Sequence, residues 1–106
     1  MNVLLVYAHP EPTSLNGSLR DFSVQRLQAA GHTVQVSDLY AMNWKASLDA
    51  DDAPERDATK PFHASLDSKV AYAEGTQAAD ITREQEKLLW ADALILQFPL
   101  WWFTLP

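Results

Sequence analysis

The stretch Val3-Leu4-Leu5-Val6-Tyr7-Ala8, near the amino terminus, decides the class of fold. It is a continuous apolar run, rich in residues that favour strands and too short for a buried helix. Such a run predicts a strand buried on both faces, the kind found in parallel sheets that helices cover on both sides. The next residues, His9-Pro10-Glu11-Pro12, end the strand because prolines fix φ and disfavour helix just before them.

A helix and a second strand follow. Ser14 and Asn16 are favoured N-cap residues, apolar residues then recur at helical spacing, and Gly31 stands where a glycine ends a helix. Residues 33–39 alternate between apolar and polar side chains, which predicts a strand. Strand, helix and strand in this order predict a βαβ unit with a right-handed crossover.

Residues 43–65 are acidic and contain two prolines. The carboxylates could in principle bind a divalent metal, but their spacing matches no calcium loop and the central glycine is missing. We therefore expect a solvated surface excursion without a metal. The acidic residues are Asp49, Asp51, Asp52, Glu55 and Asp57.

The last part of the chain predicts two helices and a third strand. Residues 66–74 fit a short helix that ends at Gly75, and Thr82-Arg83-Glu84-Gln85 has the form of a capping box that begins the next helix. Residues 93–98 are another short apolar run, which predicts a third buried strand. Strands alternating with helices predict an α/β fold with a doubly wound parallel sheet.

Length, charge and composition narrow the functional classes. The chain has 106 residues, 47% of them hydrophobic, which fits one domain with a packed core. A net charge of -6 repels phosphate backbones, so nucleic acid is not an expected partner. The absence of cysteine excludes disulfides and thiol catalysis. No apolar run is long enough to predict membrane insertion or a signal peptide, so we expect a cytoplasmic protein.

Ligands of doubly wound sheets bind beyond the carboxyl ends of the strands, so the loops at residues 9–17 and 99–106 are the candidate site. The first loop has neither a G-x-G-x-x-G nor a Walker A pattern. Thr13, Ser14 and Asn16 offer donors at a helix start, where a phosphate could bind. The alternative is that Ser14 or Asn16 simply caps the helix, and that His9 is a loop histidine facing solvent.

The second loop, Pro99-Leu100-Trp101-Trp102-Phe103, places three consecutive aromatic residues after a buried strand. Three aromatics in a row cannot all face inward, and exposed aromatic patches usually mark a ligand or partner surface. A flat conjugated ligand could lie against them. A hydrophobic contact with chain that follows Pro106 is a compatible alternative.

A set of short motifs runs along nearly the whole chain. They are Ala8-His9-Pro10-Glu11, Ser14-Leu15-Asn16, Ser37-Asp38-Leu39-Tyr40-Ala41-Met42, Ala71-Tyr72, Glu74-Gly75, Asp80-Ile81, Ala91-Asp92 and Gln97-Phe98-Pro99-Leu100 with Trp102-Phe103. Each motif is weak alone, and together they are specific. In order and spacing they resemble the NAD(P)H:quinone oxidoreductases, the DT-diaphorase-like family of the flavodoxin-like fold.

The resemblance implies a flavin, FAD with FMN as the alternative, and two-electron transfer from NAD(P)H to quinones by a homodimer. His9 and the segment from Ser14 would contact the phosphate end, and the aromatic loop would line the isoalloxazine. The implied cofactor-binding residues are His9, Ser14, Leu15, Asn16, Leu100, Trp101, Trp102 and Phe103; no catalytic residue and no metal ligand are implied. Thr104 stands where glycine is common in the family, which leaves the shape of its loop open.

The family's fold continues beyond the position of Pro106, so we expect residues 1–106 to be the N-terminal part of one flavodoxin-like domain, truncated after the third strand. Its strand order would be 2-1-3, and the third strand would be an exposed apolar edge. The alternative functions are a non-catalytic truncated fragment or a regulatory partner, such as an ancillary protein of a potassium-efflux system. A flavodoxin-type electron carrier is a weaker third.

Overall fold

The computed structural model describes residues 1–106, and the chain divides into two compact units, Met1–Trp44 with Glu86–Pro106, and Lys45–Gln85. The first unit contains a three-stranded parallel sheet in the order β2-β1-β3. Its strands are β1 (Asn2–Tyr7), β2 (Thr33–Asp38) and β3 (Ala93–Gln97). The parallel sheet and its strand order confirm the predicted α/β class.

Strand β1 is the centre of the sheet and of the core. Val3, Leu4 and Leu5 are at most 2% exposed, and Tyr7 is 0% exposed. Both edges of β1 are paired, with β2 on one side and β3 on the other, so its backbone polar groups are satisfied without water. The prediction of a strand buried on both faces is confirmed here, and the loop after β1 therefore starts from a fixed base.

The first helix, α1 (Leu15–Ala29), begins and ends where the sequence predicts. Ser14 is its N-cap, and the Ser14 hydroxyl accepts a hydrogen bond from the Gly17 N–H at 3.1 Å. Gly31 follows the helix with φ of 90°, a conformation that glycine adopts without strain. The cap and the glycine together fix both ends of the helix.

Strand β3 has the apolar character of β1 but a different environment. Leu94 is 50% exposed and Leu96 is 59% exposed, so the prediction that this strand is buried on both faces is wrong. The reason is its position, because β3 pairs only with β1 and lies at the edge of the sheet. The expectation of an exposed apolar edge is confirmed, and such an edge favours association with other chains.

The second unit contains one turn of 3₁₀ helix at Ala50–Asp52 and helix α2 (Ala64–Glu74), which ends at Gly75 with φ of 71°. Lys45 Nζ lies 2.7 Å from Asp49 and 2.8 Å from Asp52. The hydrogen bonds to Asp49 and Asp52 raise the pKa of Lys45 above its usual range. Lys45 thus pairs with two of the five acidic residues of this region.

The expectation that residues 43–65 are a solvated excursion is wrong for part of that region. Asp52 is 8% exposed, and Ala53 is 3% exposed. Asp52 is tolerated there because it has partners, since it pairs with Lys45 and accepts a hydrogen bond from the Asp49 N–H at 3.0 Å. A composition rich in acids and prolines did not reveal this local core.

Helix α3 (Ala79–Trp90) begins three residues before the predicted capping box. The Thr82 N–H donates to the Ala78 carbonyl at 3.3 Å, so Thr82 lies inside the first turn, and the predicted start is wrong. Residues 79–81 contain neither proline nor glycine, so nothing in them prevents the helix from beginning earlier.

None of the helices combines the length and apolar character needed to cross a bilayer.

Candidate functional site

The two candidate loops leave the sheet side by side. Tyr7, the last residue of β1, is paired in register with Gln97, the last residue of β3. The Ala8 N–H then donates to the Gln97 carbonyl at 3.0 Å, which extends the pairing by one residue. The two loops, residues 9–17 and 99–106, therefore both begin at the carboxyl ends of the strands, as expected for a parallel sheet.

Two contacts join these loops. The Gln97 side-chain Nε2 donates to Asn16 Oδ1 at 2.8 Å, between the end of β3 and the first turn of α1. The ring of His9 meets the ring of Trp101 edge-on, with centroids 5.5 Å apart and planes 61° apart. Each contact joins the first loop or its helix to β3 or the second loop, and the sequence-predicted residues His9, Asn16 and Trp101 take part in them.

The His9 ring is held by its own loop. The Glu11 N–H donates to His9 Nδ1 at 2.9 Å. In that bond Nδ1 is the acceptor and the ring proton is on Nε2, whereas the Glu11 carbonyl oxygen, 3.2 Å from Nδ1, would accept from a proton on Nδ1. His9 is half-buried, so the sequence alternative of a free solvent-facing histidine does not describe it. The ring can present Nε2–H as a donor.

The start of α1 offers further donors. The Ser14 hydroxyl is occupied by the Gly17 N–H, so for Ser14 the capping interpretation is confirmed. The N–H groups of Leu15 and Asn16 have no acceptor within the chain. Free N–H groups at the positive end of a helix dipole favour an anion. Sequence reasoning placed Asn16 among the possible caps, whereas its side chain contacts Gln97 instead.

Gly17 makes the close approach between helix and loop possible. A Cβ atom at this position would lie 2.0 Å from the Pro12 carbonyl oxygen and 3.3 Å from the Tyr7 hydroxyl. Only a residue without a side chain allows Pro12 to cross the first turn of α1 so closely. Sequence reasoning did not single out Gly17, because a glycine near a helix start carries no visible sign of the contact it permits.

Tyr7 lies beneath this loop and was also missed. Its hydroxyl is buried and has no hydrogen-bond partner in the chain, while Arg20 stacks over its ring at 4.5 Å. Arg20 also pairs with Asp38 at 2.9 Å, which ties α1 to the end of β2. The hydrogen bond from Arg20 to Asp21 raises the pKa of the arginine further above its usual range. In the sequence, Tyr7 reads only as part of an apolar run.

The only carboxylate of the first loop, Glu11, is exposed and is bonded within the loop. Glu11 Oε1 accepts from the Thr13 N–H at 3.0 Å and from the Thr13 hydroxyl at 2.7 Å. These bonds, the backbone bond first, lower the pKa of Glu11. Thr13 occupies one oxygen of Glu11, and the Leu15 and Asn16 N–H groups remain unpaired at the helix start. The chemistry of this donor set fits the phosphate end of a nucleotide.

The second loop is a tight, strained turn. Trp101 and Thr104 exchange two backbone hydrogen bonds, at 3.1 and 3.0 Å. The two residues between them, Trp102 and Phe103, have φ of 51° and 64°, which non-glycine residues rarely adopt. The shape of this loop, which Thr104 left open, is therefore a turn with positive φ at these two aromatics.

Both aromatics at the tip of the turn face solvent. Trp102 is 92% exposed and Phe103 is 97% exposed, and Leu15 and Leu100 are also mostly exposed. The prediction that the aromatics of this loop cannot all face inward is confirmed. Exposed rings held in a strained turn beside a donor-rich helix start can receive a ligand with a flat apolar end and an anionic end.

A family model described as flavodoxin-like fold matches residues 1–106. The chain belongs to this family. A crystal structure of a protein from Klebsiella pneumoniae, described as a proposed quinone reductase, superposes with a TM-score of 0.96. It is 63% identical, over 100% of this chain and 41% of that chain. Sequence and structure thus agree on the fold.

Curated relatives carry dehydrogenase names. A ribosyldihydronicotinamide dehydrogenase-like protein of Penicillium crustosum is 49% identical over 106 residues, which are 100% of this chain and 40% of that protein. NAD(P)H dehydrogenase (quinone) 1 of Rattus norvegicus is 41% identical over 104 residues, which are 97% of this chain and 38% of that protein. The chain therefore spans less than half the length of these relatives.

Proposed function

We propose that this chain is the N-terminal part of a single flavodoxin-like domain in a flavin-dependent NAD(P)H:quinone oxidoreductase. The reaction is two-electron transfer, as hydride, from NAD(P)H through FAD to a quinone. Support comes from two relatives that match nearly the whole chain, one named a ribosyldihydronicotinamide dehydrogenase-like protein and the other NAD(P)H dehydrogenase (quinone) 1. We further propose that the complete protein is a cytoplasmic homodimer, as the family resemblance implies.

The observation that carries this proposal is the junction of the two loops. The Asn16–Gln97 hydrogen bond and the His9–Trp101 contact bring a donor-rich helix start together with an exposed aromatic turn. A flavin nucleotide has the same two-ended chemistry, a phosphate group and a flat conjugated ring. When bound, FAD supplies the hydride chemistry, and the residues of this chain hold its phosphate and orient its ring.

In this proposal the eight residues divide into two groups by role. The donors His9 and Asn16, with the backbone N–H groups of Leu15 and Asn16, bind the phosphate end. Ser14 contributes indirectly, because its hydroxyl caps α1 by accepting the Gly17 N–H and so fixes the first turn of the helix. Leu100, Trp101, Trp102 and Phe103 form the surface for the ring. None of them is proposed as a proton donor or acceptor in the hydride transfer.

The test is a flavin titration of the 106-residue chain, followed by quenching of flavin fluorescence. We expect saturable binding of FAD or FMN, and weaker binding of riboflavin, which lacks the phosphate. Asn16→Leu should weaken binding of FAD, whereas Gln25→Ala, an exposed change on the same helix, should not. Absence of binding by a chain that circular dichroism shows to be folded overturns the proposal that this chain binds flavin.

Turnover is the second part of the test. With menadione as acceptor, NADH, NADPH and dihydronicotinamide riboside should be compared, because the relatives are named for two classes of donor. Oxidation of one of these donors supports the enzyme. Flavin binding without oxidation of any donor favours the non-catalytic partner for this chain.

A further inference from the structure

Gln97 is held more rigidly than a residue at the start of a loop usually is. Its backbone is the last paired position of β3, and its carbonyl accepts the Ala8 N–H at 3.0 Å. The neighbouring strand is the most buried element of the chain. The side chain of Gln97 therefore projects from a fixed base to the first turn of α1, where it meets Asn16.

The direction of the hydrogen bond decides what Asn16 can offer. Gln97 Nε2 donates at 2.8 Å, so Asn16 Oδ1 is the occupied acceptor, and the Asn16 Nδ2 group keeps its donors. Asn16 also carries, with Leu15, one of the two unpaired backbone N–H groups at the start of α1. If the bond ran the other way, the Asn16 oxygen would stand free at the helix start and would repel an anion.

We propose that Gln97 is a positioning residue that sets the polarity of the Asn16 side chain, so that this amide donates to a phosphate group at the start of α1. The inference rests on the proposed flavin function for the identity of the phosphate. Gln97 itself contacts Asn16, and its effect on the ligand is indirect. It also links the two loops, because it belongs to the strand that leads into the aromatic turn.

Amide NMR of the flavin-free chain tests the polarity directly. We expect a Gln97 Nε2 proton shifted by hydrogen bonding, and Asn16 Nδ2 protons that move when inorganic pyrophosphate is added. An Asn16 Nδ2 proton bonded to Gln97 in the free chain, or Asn16 signals that ignore pyrophosphate, overturns the inference. Because this experiment contains no flavin, a chain that binds pyrophosphate but no flavin would contradict the proposed function and leave the role of Gln97 intact.

Two variants of Gln97 test the consequence for flavin. Gln97→Glu puts an acceptor where Gln97 has a donor, so the Asn16 amide must turn and present its oxygen to the phosphate. We expect FMN affinity to fall by about tenfold to a hundredfold, the range of one hydrogen bond to a charged group. Gln97→Met, a neutral control of similar size, releases the amide without reversing it and should cause a smaller loss.

Riboflavin separates positioning from general support of the site. The affinity for riboflavin should be unchanged in both variants, because riboflavin has no phosphate to contact the Asn16 amide. The FMN loss in Gln97→Glu should also persist at high salt, since screening reduces the effect of the added charge but not of the reversed amide. Equal losses for FMN and riboflavin, or equal losses in the two variants, would show that Gln97 only supports the fold.

Discussion

The two loops of the site reach their shapes in opposite ways. The first loop, residues 9–17, is held by hydrogen bonds from Thr13 to Glu11, from the Glu11 N–H to His9 and from the Gly17 N–H to Ser14. The second, residues 99–106, contains two aromatics with positive φ and almost complete exposure. The first loop is therefore ordered by its own hydrogen bonds, whereas the second holds two residues in a rarely adopted conformation.

This difference indicates a division of labour. A loop that presents donors to an anion benefits from donors fixed before the ligand arrives, because their ordering does not then oppose binding. A loop that receives a flat ring needs exposed apolar surface, even where that surface destabilises the free chain. Variants that remove the order of the first loop or the strain of the second test this comparison.

The largest effect should come from Gly17→Ala. Helix propensity alone predicts that this change stabilises α1 by about 1 kcal/mol. The new methyl group would instead lie 2.0 Å from the Pro12 carbonyl oxygen, so backbone must move. We expect a net loss of about 3 kcal/mol in the free energy of unfolding, measured in urea, because overpacking against backbone cannot relax by a rotamer change.

The matched control is Ser18→Ala, which lies in the same turn and adds no atoms. The free energy of unfolding of Ser18→Ala should equal that of the wild-type chain or be slightly higher. If Gly17→Ala is as stable as Ser18→Ala, the first loop is not held by the close approach of Pro12, and the contrast between the loops loses its basis.

A smaller effect, of opposite sign, should follow from replacing the tip of the second loop with Asn-Gly. Trp102→Asn with Phe103→Gly supplies residues that adopt positive φ readily. The free energy of unfolding, measured by thermal unfolding, should therefore rise by about 1 kcal/mol. Little packing is lost, because both rings are exposed in the free chain. Flavin affinity should nevertheless fall, since the surface for the ring is removed.

The single changes provide the control for this pair. Each should give part of the stability gain, because each residue has its own positive φ. A double variant that is less stable than the wild-type chain would mean that the rings support the fold, and the second loop would not be strained in the sense described above.

The smallest effect concerns pH. The Thr13 bonds lower the pKa of Glu11, so the folded carboxyl stays ionised to lower pH than the unfolded one. Its stabilising contribution is present above the unfolded pKa and is lost as pH falls through the folded pKa. NMR titration of the carboxyl group should give Glu11 a pKa below its ordinary range. In Thr13→Val, which lacks the hydroxyl donor, the pKa of Glu11 should return part of the way to that range.

The stability of Glu11→Gln supplies the complementary measurement. The difference between this variant and the wild-type chain should be present at neutral pH and vanish in strong acid, where Glu11 is protonated. A Glu11 titration at the ordinary value would show that the bonds to Thr13 do not persist in solution.

Local sequence predicted the elements well where local interactions decide them. The cap at Ser14 and the glycine at Gly31 bound α1 as expected, because both act through backbone within a few residues. The start of α3 was misplaced, because several residues before Thr82 are also compatible with helix and local sequence does not choose among them. The rule for doubly wound sheets and the family motifs indicated which loops form the candidate site, but not which atoms join them.

The sequence by itself predicted that β1 and β3 are strands, that a helix begins between Ser14 and Gly17, and that two loops carry the candidate ligand-binding residues. Only the tertiary structure decided that β1 is buried while the similar β3 lies exposed at an edge, because burial depends on neighbours and not on composition. It alone brought Gln97 to Asn16 across 81 residues of chain. Such a contact depends on strand pairing, which no short stretch of sequence contains.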